Sequence, residues 1–231
     1  MGSRPPDRRP GPRAASLGGT SVQLLAGVTA LTIAAVAGLA FIHRPWSNRL
    51  DVWGYAAFPA NPTSGWAHDL VVVGSLSALL VGVALVFAVG VFRDRVRAVA
   101  CAAAPVLAVL IVQDLAKPLV GRHLGIIGSA SYPSGTVAAA AALMTAATLV
   151  VPALVRPAVA VIGTLVTVGV AAAVIVLRWH YPTDALGGMA VGVGAVLTLD
   201  ALFHLPWALA ALLPGRRSGQ DVGTAHRPRL A

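Results

Sequence analysis

Residues 157–177 read PAVAVIGTLVTVGVAAAVIVL, a stretch of 21 residues that carries no charge. At 1.5 Å per residue a helix of this length spans about 30 Å, which is the thickness of the hydrocarbon core of a bilayer. Pro157 follows Arg156 directly, and proline is favoured in the first turn of a helix. We therefore predict that this stretch crosses a membrane as an α-helix.

Five further apolar runs of comparable length lie at residues 22–42, 69–92, 98–116, 134–155 and 185–206. Each approaches the roughly 20 residues that a transmembrane helix needs. The sequence thus predicts an all-α protein, an integral membrane bundle of six transmembrane helices over residues 21–213. Residues 1–20, rich in Pro, Arg and Gly, are expected to form a disordered basic cytoplasmic tail, and residues 214–231 a second cytoplasmic tail.

The composition supports a membrane protein and argues against a soluble one. Only 11% of the residues are charged and 57% are apolar, whereas a soluble domain carries about a quarter charged residues. The net charge of +9 is spread over tails and short loops, so we expect no nucleic-acid partner. The single cysteine, Cys101, excludes an intramolecular disulfide. No cluster of carboxylates or histidines has metal-ligand spacing, so we expect no metal and no other cofactor.

The distribution of lysine and arginine predicts how the bundle is oriented. If the N-terminus is inside, 12 basic residues lie in the tails and inner loops, against five in the outer segments. The five are Arg44, Arg49, Lys117, Arg122 and Arg178. This asymmetry follows the positive-inside rule. We expect a multi-pass plasma-membrane protein with both termini in the cytoplasm.

Three segments are unusually polar for this chain. They are residues 117–123 (KPLVGRH), 132–136 (YPSGT) and 178–184 (RWHYPTD). In a six-helix topology with an inside N-terminus, the first segment ends the third helix, the second opens the fourth, and the third joins the last two. All three then lie on the outer face of the membrane, and the topology predicts that they form one site there.

The residue types in the first two segments suit a phosphate group. Lys117 and Arg122 can neutralise an anion, the arginine through a bidentate fork. Ser134 and Gly135 precede a predicted helix, whose free backbone N–H groups and dipole favour phosphate. These two segments therefore predict an anion-binding pocket.

The third segment adds a nucleophile. His180 and Asp184 are four residues apart, one turn of a helix, so the carboxylate can orient the imidazole ring. One ring nitrogen is then held as a donor, and the other is free to attack phosphorus. Together with the anion-binding pocket, this pair predicts phosphoryl transfer through a phosphohistidine.

The three segments, in this order, resemble the signature of the type 2 phosphatidic acid phosphatase family, which includes lipid phosphate phosphatases and is related in fold to vanadium haloperoxidases. The resemblance covers roughly residues 69–206 and is strongest at 133–135 (PSG) and 180–184 (HYPTD). It implies a six-helix bundle that hydrolyses a lipid phosphate or diphosphate at the outer face, with membrane lipids as its other partners. The residues that it implies are the nucleophile His180, its orienting partner Asp184, and the phosphate-binding Lys117, Arg122, Ser134, Gly135 and Arg178.

The sequence departs from the family pattern at three positions. Leu124 replaces the family arginine that stands seven residues after the lysine, and Arg122 lies two residues earlier. Val174 replaces the family arginine that stands six residues before the histidine, and Arg178 lies four residues later. The histidine of the family's Pro-Ser-Gly-His is Thr136, which cannot act as a general acid near neutral pH.

The loss of that acid bears on the leaving group. An alkoxide that leaves a phosphate monoester needs a proton, whereas a phosphate that leaves a diphosphate is a much weaker base and does not. If the protein is an active enzyme, we therefore expect a preference for lipid diphosphates such as polyprenyl diphosphates. The alternative is that His123 supplies the proton.

Two other functions are open at this point. A non-catalytic membrane protein of the same fold would keep the phosphate pocket and bind a lipid phosphate without turnover, as the threonine at position 136 suggests. A small transporter is the third hypothesis, but the sequence shows no inverted repeat and no helix interrupted near the midplane.

Three further patterns concern packing and the membrane interface. Small residues at 138–142 and 188–192 predict a close approach of the helices that carry them. Asp200 and His204 lie four residues apart in the last apolar run, where we expect interhelical hydrogen bonds. The aromatic residues of the outer segment 43–68 predict an interfacial belt or, alternatively, a lid over the site.

Overall fold

The computed structural model describes residues 12–42, 46–124 and 130–210. Within these ranges the chain is helical, apart from turns and an isolated β-bridge between His123 and Ala130. The helices are α1 (Pro12–Ile42), α2 (Arg49–Ala57), α3 (Gly65–Val71), α4 (Leu76–Val91), α5 (Arg95–Leu110), α6 (Lys117–Val120), α7 (Gly135–Val150), α8 (Arg156–Val176) and α9 (Pro182–Ala210). A 3₁₀ turn, Val72–Gly74, joins α3 to α4, and a π-helical segment, Ile111–Ala116, joins α5 to α6.

The all-α membrane fold is confirmed, but a count of six spans is not. In the described part of the chain, four helical runs are long and apolar enough to cross a membrane, namely Gly18–Ile42, Arg95–Val120, Arg156–Val176 and Pro182–Pro206. A fifth span requires α3 and α4, which meet at a bend of 51°, to count as one. With 16 residues, α7 is only about 24 Å long at 1.5 Å per residue, which is less than the hydrocarbon core.

The predicted N-terminal tail is wrong over part of its length. Helix α1 begins at Pro12, inside the stretch 1–20 that was expected to be disordered, and continues without a break to Ile42. Residues 1–11 of that tail and the second tail, 214–231, lie outside the described residues.

Helix α7 can be short because other helices surround it. It packs against α4, α5, α8 and α9, and every residue from Val137 to Leu143 is buried. Most of these residues are alanine, so the neighbouring backbones can approach closely from several sides. A helix enclosed by protein in this way does not have to match the thickness of the bilayer with its own apolar length.

The close approach predicted for residues 138–142 and 188–192 is confirmed between α7 and α9. A Cβ atom added at Gly188 would collide with the backbone oxygen of Ser134, and one at Gly192 would collide with that of Ala138. Since both obstacles are main-chain atoms, they cannot rotate away as a side chain would. Glycine at these two positions therefore sets the distance between α7 and α9.

A polar network joins three helices at the end of the bundle away from the three polar segments. Asp200 on α9 accepts hydrogen bonds from Arg97 Nε at 3.1 Å and Gln23 Nε2 at 2.8 Å. His204 bonds to the backbone oxygen of Asp200 and to Asp94 Oδ2, at 2.7 and 3.0 Å. The interhelical hydrogen bonding expected for Asp200 and His204 is thus confirmed. Burial acts to raise the pKa of Asp94, but the hydrogen bonds from the Arg97 N–H and His204 lower it overall.

We expect Gly188→Ala to lower the stability of the protein, because the added methyl group forces α9 away from the start of α7. Overpacking of this kind costs about 1–3 kcal/mol. The measurement is thermal unfolding of the purified protein in detergent. Gly65→Ala is the matched control, since nothing lies within 4 Å of a Cβ at that position. Equal melting temperatures for the two variants would contradict the assignment of Gly188 as a packing constraint.

Candidate active site

The second and third polar segments meet through a main-chain hydrogen bond. The Ser134 N–H donates to the backbone oxygen of Asp184 at 2.9 Å, which joins the start of α7 to the start of α9. Ser134 is also the N-cap of α7, where its Oγ accepts from the Val137 N–H. Among the described residues, the backbone N–H groups of Gly135 and Thr136 have no protein partner. They are therefore the first-turn donors available to an anion.

The predicted pair of His180 and Asp184 is close together. Nδ1 of His180 lies 3.8 Å from Oδ2 of Asp184, longer than a hydrogen bond, and this buried nitrogen has no hydrogen-bond partner in the described structure. The Asp184 carboxylate is fully buried, and its Oδ2 also accepts from the Tyr181 N–H at 3.0 Å. Because Nδ1 faces the carboxylate, Nε2 is the ring nitrogen that is left to react.

Arg122 has different partners from those the sequence predicted. Its guanidinium is fully buried and donates to Asp51 Oδ2 and Asp184 Oδ1, each at 2.6 Å. It also donates to Thr183 Oγ1 at 2.7 Å and to the Trp46 carbonyl at 3.4 Å. Its terminal nitrogens are thus engaged by protein atoms, and the expected contact with phosphate is replaced by a contact with the Asp184 side chain.

Aromatic rings enclose this arginine. Its Cζ atom lies 4.0 Å from the ring centroid of Phe41 and 4.2 Å from that of Tyr181. Cation–π contacts at this distance favour a guanidinium over a hydrated ammonium group. The surroundings therefore suit an arginine that is held permanently inside the protein.

Lys117 and Arg178 are placed differently. Lys117 opens α6 directly after the π-helical segment Ile111–Ala116, is partly buried, and is attracted by the charge of Asp184. π-Helical segments are frequent at functional sites. Arg178 lies two residues after the end of α8 in a left-handed conformation, with φ of 58°, and its Cζ lies 3.9 Å from the ring centroid of Tyr55. Phosphate binding by these two cations is still a prediction.

Two other predicted residues are less closely tied to this cluster. His123 is exposed, and its backbone pairs with Ala130 across the loop that precedes α7. Thr136, in the first turn of α7, is partly buried and packs against Gly74. The role of His123 as an acid is also still a prediction.

The sequence analysis missed three residues that surround the site. Asp51 and Tyr55 lie on α2, within the segment 43–68 that was expected to form an aromatic belt or a lid. The Tyr55 hydroxyl donates to the His180 carbonyl at 3.2 Å, and burial raises the pKa of Tyr55 to about 12, so this donor keeps its proton at neutral pH. Gln113 lies over Gly135, because a Cβ atom there would be 2.7 Å from Gln113 Nε2.

A sequence signal existed for only one of the three. Asn48 and Asp51 form a capping box that starts α2, and this spacing is readable in the chain. It indicates where the helix begins, not what the Asp51 side chain contacts. As for metals, no group of three or more His, Cys or acidic residues in the described ranges is placed to hold an ion.

Comparison with known proteins connects this geometry to a family. The family model described as the PAP2 superfamily matches residues 25–208 of the chain. A search of curated proteins found no match. The crystal structure of a transmembrane PAP2-type phosphatidylglycerolphosphate phosphatase from Bacillus subtilis is similar with a TM-score of 0.60 and 20% identity, covering 74% of this chain and 94% of that one. That likeness shows a shared fold, and the family match, which covers most of the sequence, shows that the chain belongs to the PAP2 superfamily.

Proposed function

We propose that the protein is a membrane lipid phosphatase or diphosphatase that acts at the outer face of the membrane through a phosphohistidine. One observation carries this proposal: the buried carboxylate of Asp184 lies beside His180 Nδ1, while its backbone oxygen is bonded to the start of α7. The nucleophile and the first-turn N–H groups are therefore parts of one rigid arrangement. Membership of the PAP2 superfamily supports the same chemistry.

Each residue of the site has a separate role in the proposed phosphoryl transfer. The N–H groups of Gly135 and Thr136, with Lys117 and Arg178, bind the phosphate oxygens and offset their charge. His180 Nε2 attacks phosphorus, and the bond from phosphorus to the leaving oxygen breaks. Water then attacks the phosphohistidine, which releases inorganic phosphate and restores the imidazole. Throughout, the Asp184 carboxylate stabilises the positive charge that develops on the ring.

The first turn of α7 favours a leaving group that needs no proton. Where the family has a histidine, Thr136 packs against Gly74 and supplies no titratable group. A lipid diphosphate, such as a polyprenyl diphosphate, releases a lipid monophosphate that is a weak base, whereas phosphatidate releases an alkoxide. We therefore propose a lipid diphosphate as the preferred substrate class.

The same threonine favours a second candidate, a lipid-phosphate-binding protein of the same fold without turnover. Such a protein would use the first-turn N–H groups and the cations but would not need an oriented imidazole. The position of the Asp184 carboxylate beside His180 Nδ1 argues against it, because a protein that only binds a lipid phosphate does not need a carboxylate placed to orient the imidazole ring.

We expect the purified protein to release phosphate from polyprenyl diphosphate faster than from phosphatidate, and His180→Ala to abolish release from both. His68, an exposed histidine on α3, provides the control variant His68→Ala, which should retain activity. The measurement is inorganic phosphate released in detergent.

Each outcome of that assay separates the candidates. Faster turnover of phosphatidate would overturn the leaving-group argument but keep the phosphatase. If folded protein released no phosphate from either lipid yet bound both, the non-catalytic candidate would replace the proposed phosphatase.

Arg178 allows activity and stability to be separated. A residue other than glycine in the left-handed region costs about 1 kcal/mol, which Arg178→Gly relieves and Arg178→Ala does not. We expect both variants to lose roughly 10–100-fold in turnover, since each removes a charge-assisted hydrogen bond to phosphate. Thermal unfolding should show the glycine variant to be the more stable of the two. Full activity in either variant would exclude Arg178 from phosphate binding.

Gln113→Glu tests the anion site directly. It places a carboxylate over Gly135 at nearly unchanged volume, so it should repel a phosphate at the first turn of α7. We expect KM to rise about tenfold, which corresponds to roughly 1.4 kcal/mol. The neutral variant Gln113→Met keeps a similar volume and should change KM less. An unchanged KM in the glutamate variant would show that phosphate binds elsewhere.

A further inference from the structure

Three charged side chains form a fully buried row behind the proposed nucleophile. Asp51, Arg122 and Asp184 each have no exposed surface, and the arginine bonds to one carboxylate on either side. Isolated buried charges are very costly, so each member of the row depends on the others. Two carboxylates share one guanidinium, and of the two it is that of Asp184 which lies beside His180.

Asp51 has the full set of hydrogen bonds that a carboxylate can accept. Its Oδ1 accepts from the Thr183 N–H at 2.9 Å and from the Thr183 hydroxyl at 2.7 Å. Its Oδ2 accepts from Arg122 at 2.6 Å and from the Asn48 N–H at 3.1 Å. Asp51 thus bonds to Thr183, which precedes Asp184 in the chain, and to Arg122, which itself bonds to Asp184.

Asp51 controls the position of Arg122. A guanidinium prefers to bond a carboxylate with two parallel N–H groups. Here Asp51 engages one terminal nitrogen, so that Arg122 reaches only Oδ1 of Asp184. Oδ2 of Asp184 is left to face His180 Nδ1. Without the charge of Asp51, we expect Arg122 to turn further toward Asp184 and to bond both of its carboxylate oxygens.

Helix α2 also contacts the backbone of His180. Tyr55, one turn beyond Asp51 on α2, donates to the backbone oxygen of His180. Helix α2 therefore contacts the chain at residue 180 and at residue 183, on both sides of the turn that carries the nucleophile.

From this arrangement we infer that Asp51 is a positioning residue, which keeps Arg122 on Oδ1 of Asp184 and so leaves Oδ2 directed at His180. The inference rests on the proposed phosphohistidine chemistry. Asp51 does not touch the first-turn N–H groups or Lys117 in the described structure. It should therefore affect the chemical step and not the binding of substrate.

The test is Asp51→Asn, which keeps the shape of the side chain and an oxygen acceptor but removes the charge. We expect kcat with a lipid diphosphate to fall about 10–100-fold, which is the usual loss when a residue that orients a reacting group is substituted. KM should stay within about twofold of the wild-type value. Asp51→Glu should recover part of kcat because it restores the charge. Asp69→Asn, at an exposed aspartate on α3, is the matched control and should keep wild-type kcat.

A second readout does not depend on turnover. Diethyl pyrocarbonate modifies nucleophilic imidazole nitrogens, and peptide mass spectrometry reports the rate at each histidine. In Asp51→Asn we expect slower modification of His180 and an unchanged rate at His68. If the asparagine variant is too unstable to purify, Thr183→Val removes the hydroxyl that donates to Asp51 Oδ1 and accepts from Arg122. It loosens the hold of Asp51 on Arg122 and should show the same pattern.

The outcomes distinguish the two proposals. A wild-type protein without phosphate release would refute the proposed function, whereas the modification rates would still report whether Asp51 acts on His180. Wild-type kcat in Asp51→Asn, together with an unchanged modification rate at His180, would overturn the positioning role. A rise in KM at constant kcat would overturn it as well, because it would place Asp51 in substrate binding.

Discussion

Gly188 on α9 lies directly against the backbone oxygen of Ser134, so no side chain separates α9 from the point where α7 begins. This contact brings two chain segments, about 50 residues apart in sequence, into main-chain hydrogen-bonding distance. One segment contributes the donors of a helix N-terminus and the other contributes the His180–Asp184 pair. Helix packing, which is stiff, therefore places the start of α7 beside Asp184, and the proposed nucleophile His180 lies in the turn between the end of α8 and the start of α9.

In the described part of the chain, the buried charged side chains belong to two networks. At one end of the bundle, Arg122 lies between Asp51 and Asp184, with aromatic rings over its guanidinium. At the other end, Asp200 joins Arg97 and Gln23. Electrostatic interactions are strong in such surroundings because little water screens them. Each network ties together helices that are distant in sequence, so both contribute to a unique arrangement of the bundle.

The site combines features of a phosphatase with an unusual position at the first turn of α7. Thr136 stands where a proton donor is expected, while the backbone N–H groups, the lysine and the imidazole–carboxylate pair are all present. An arrangement that supplies charge stabilisation without a proton suits a leaving group that is already stable as an anion. Under the proposed function, the chemistry of the leaving group, more than the identity of the lipid tail, is therefore the property on which the site would discriminate.

The sequence by itself determined the all-helical membrane fold, predicted a common side for the three polar segments, and indicated close helix approach at residues 138–142 and 188–192, but not that these two stretches meet each other. It also indicated His180 and Asp184 as a pair. These features follow from hydropathy and from the period of the helix, which are local properties. The count of spans was not determined in this way, because α7 is short and enclosed, and apolar length alone does not show which helices face lipid.

The partners of Arg122 were decided only by the tertiary structure. An arginine five residues after a lysine in a polar segment is expected to bind phosphate, and nothing local distinguishes that role from an internal one. Asp51 comes from a helix 71 positions earlier in the chain, and its capping-box spacing shows only that a helix starts there. Which carboxylate meets a buried cation depends on how α2 packs beside α9, and that contact has no periodic signature in the sequence. The pairing of buried charges is therefore a property of the assembled bundle.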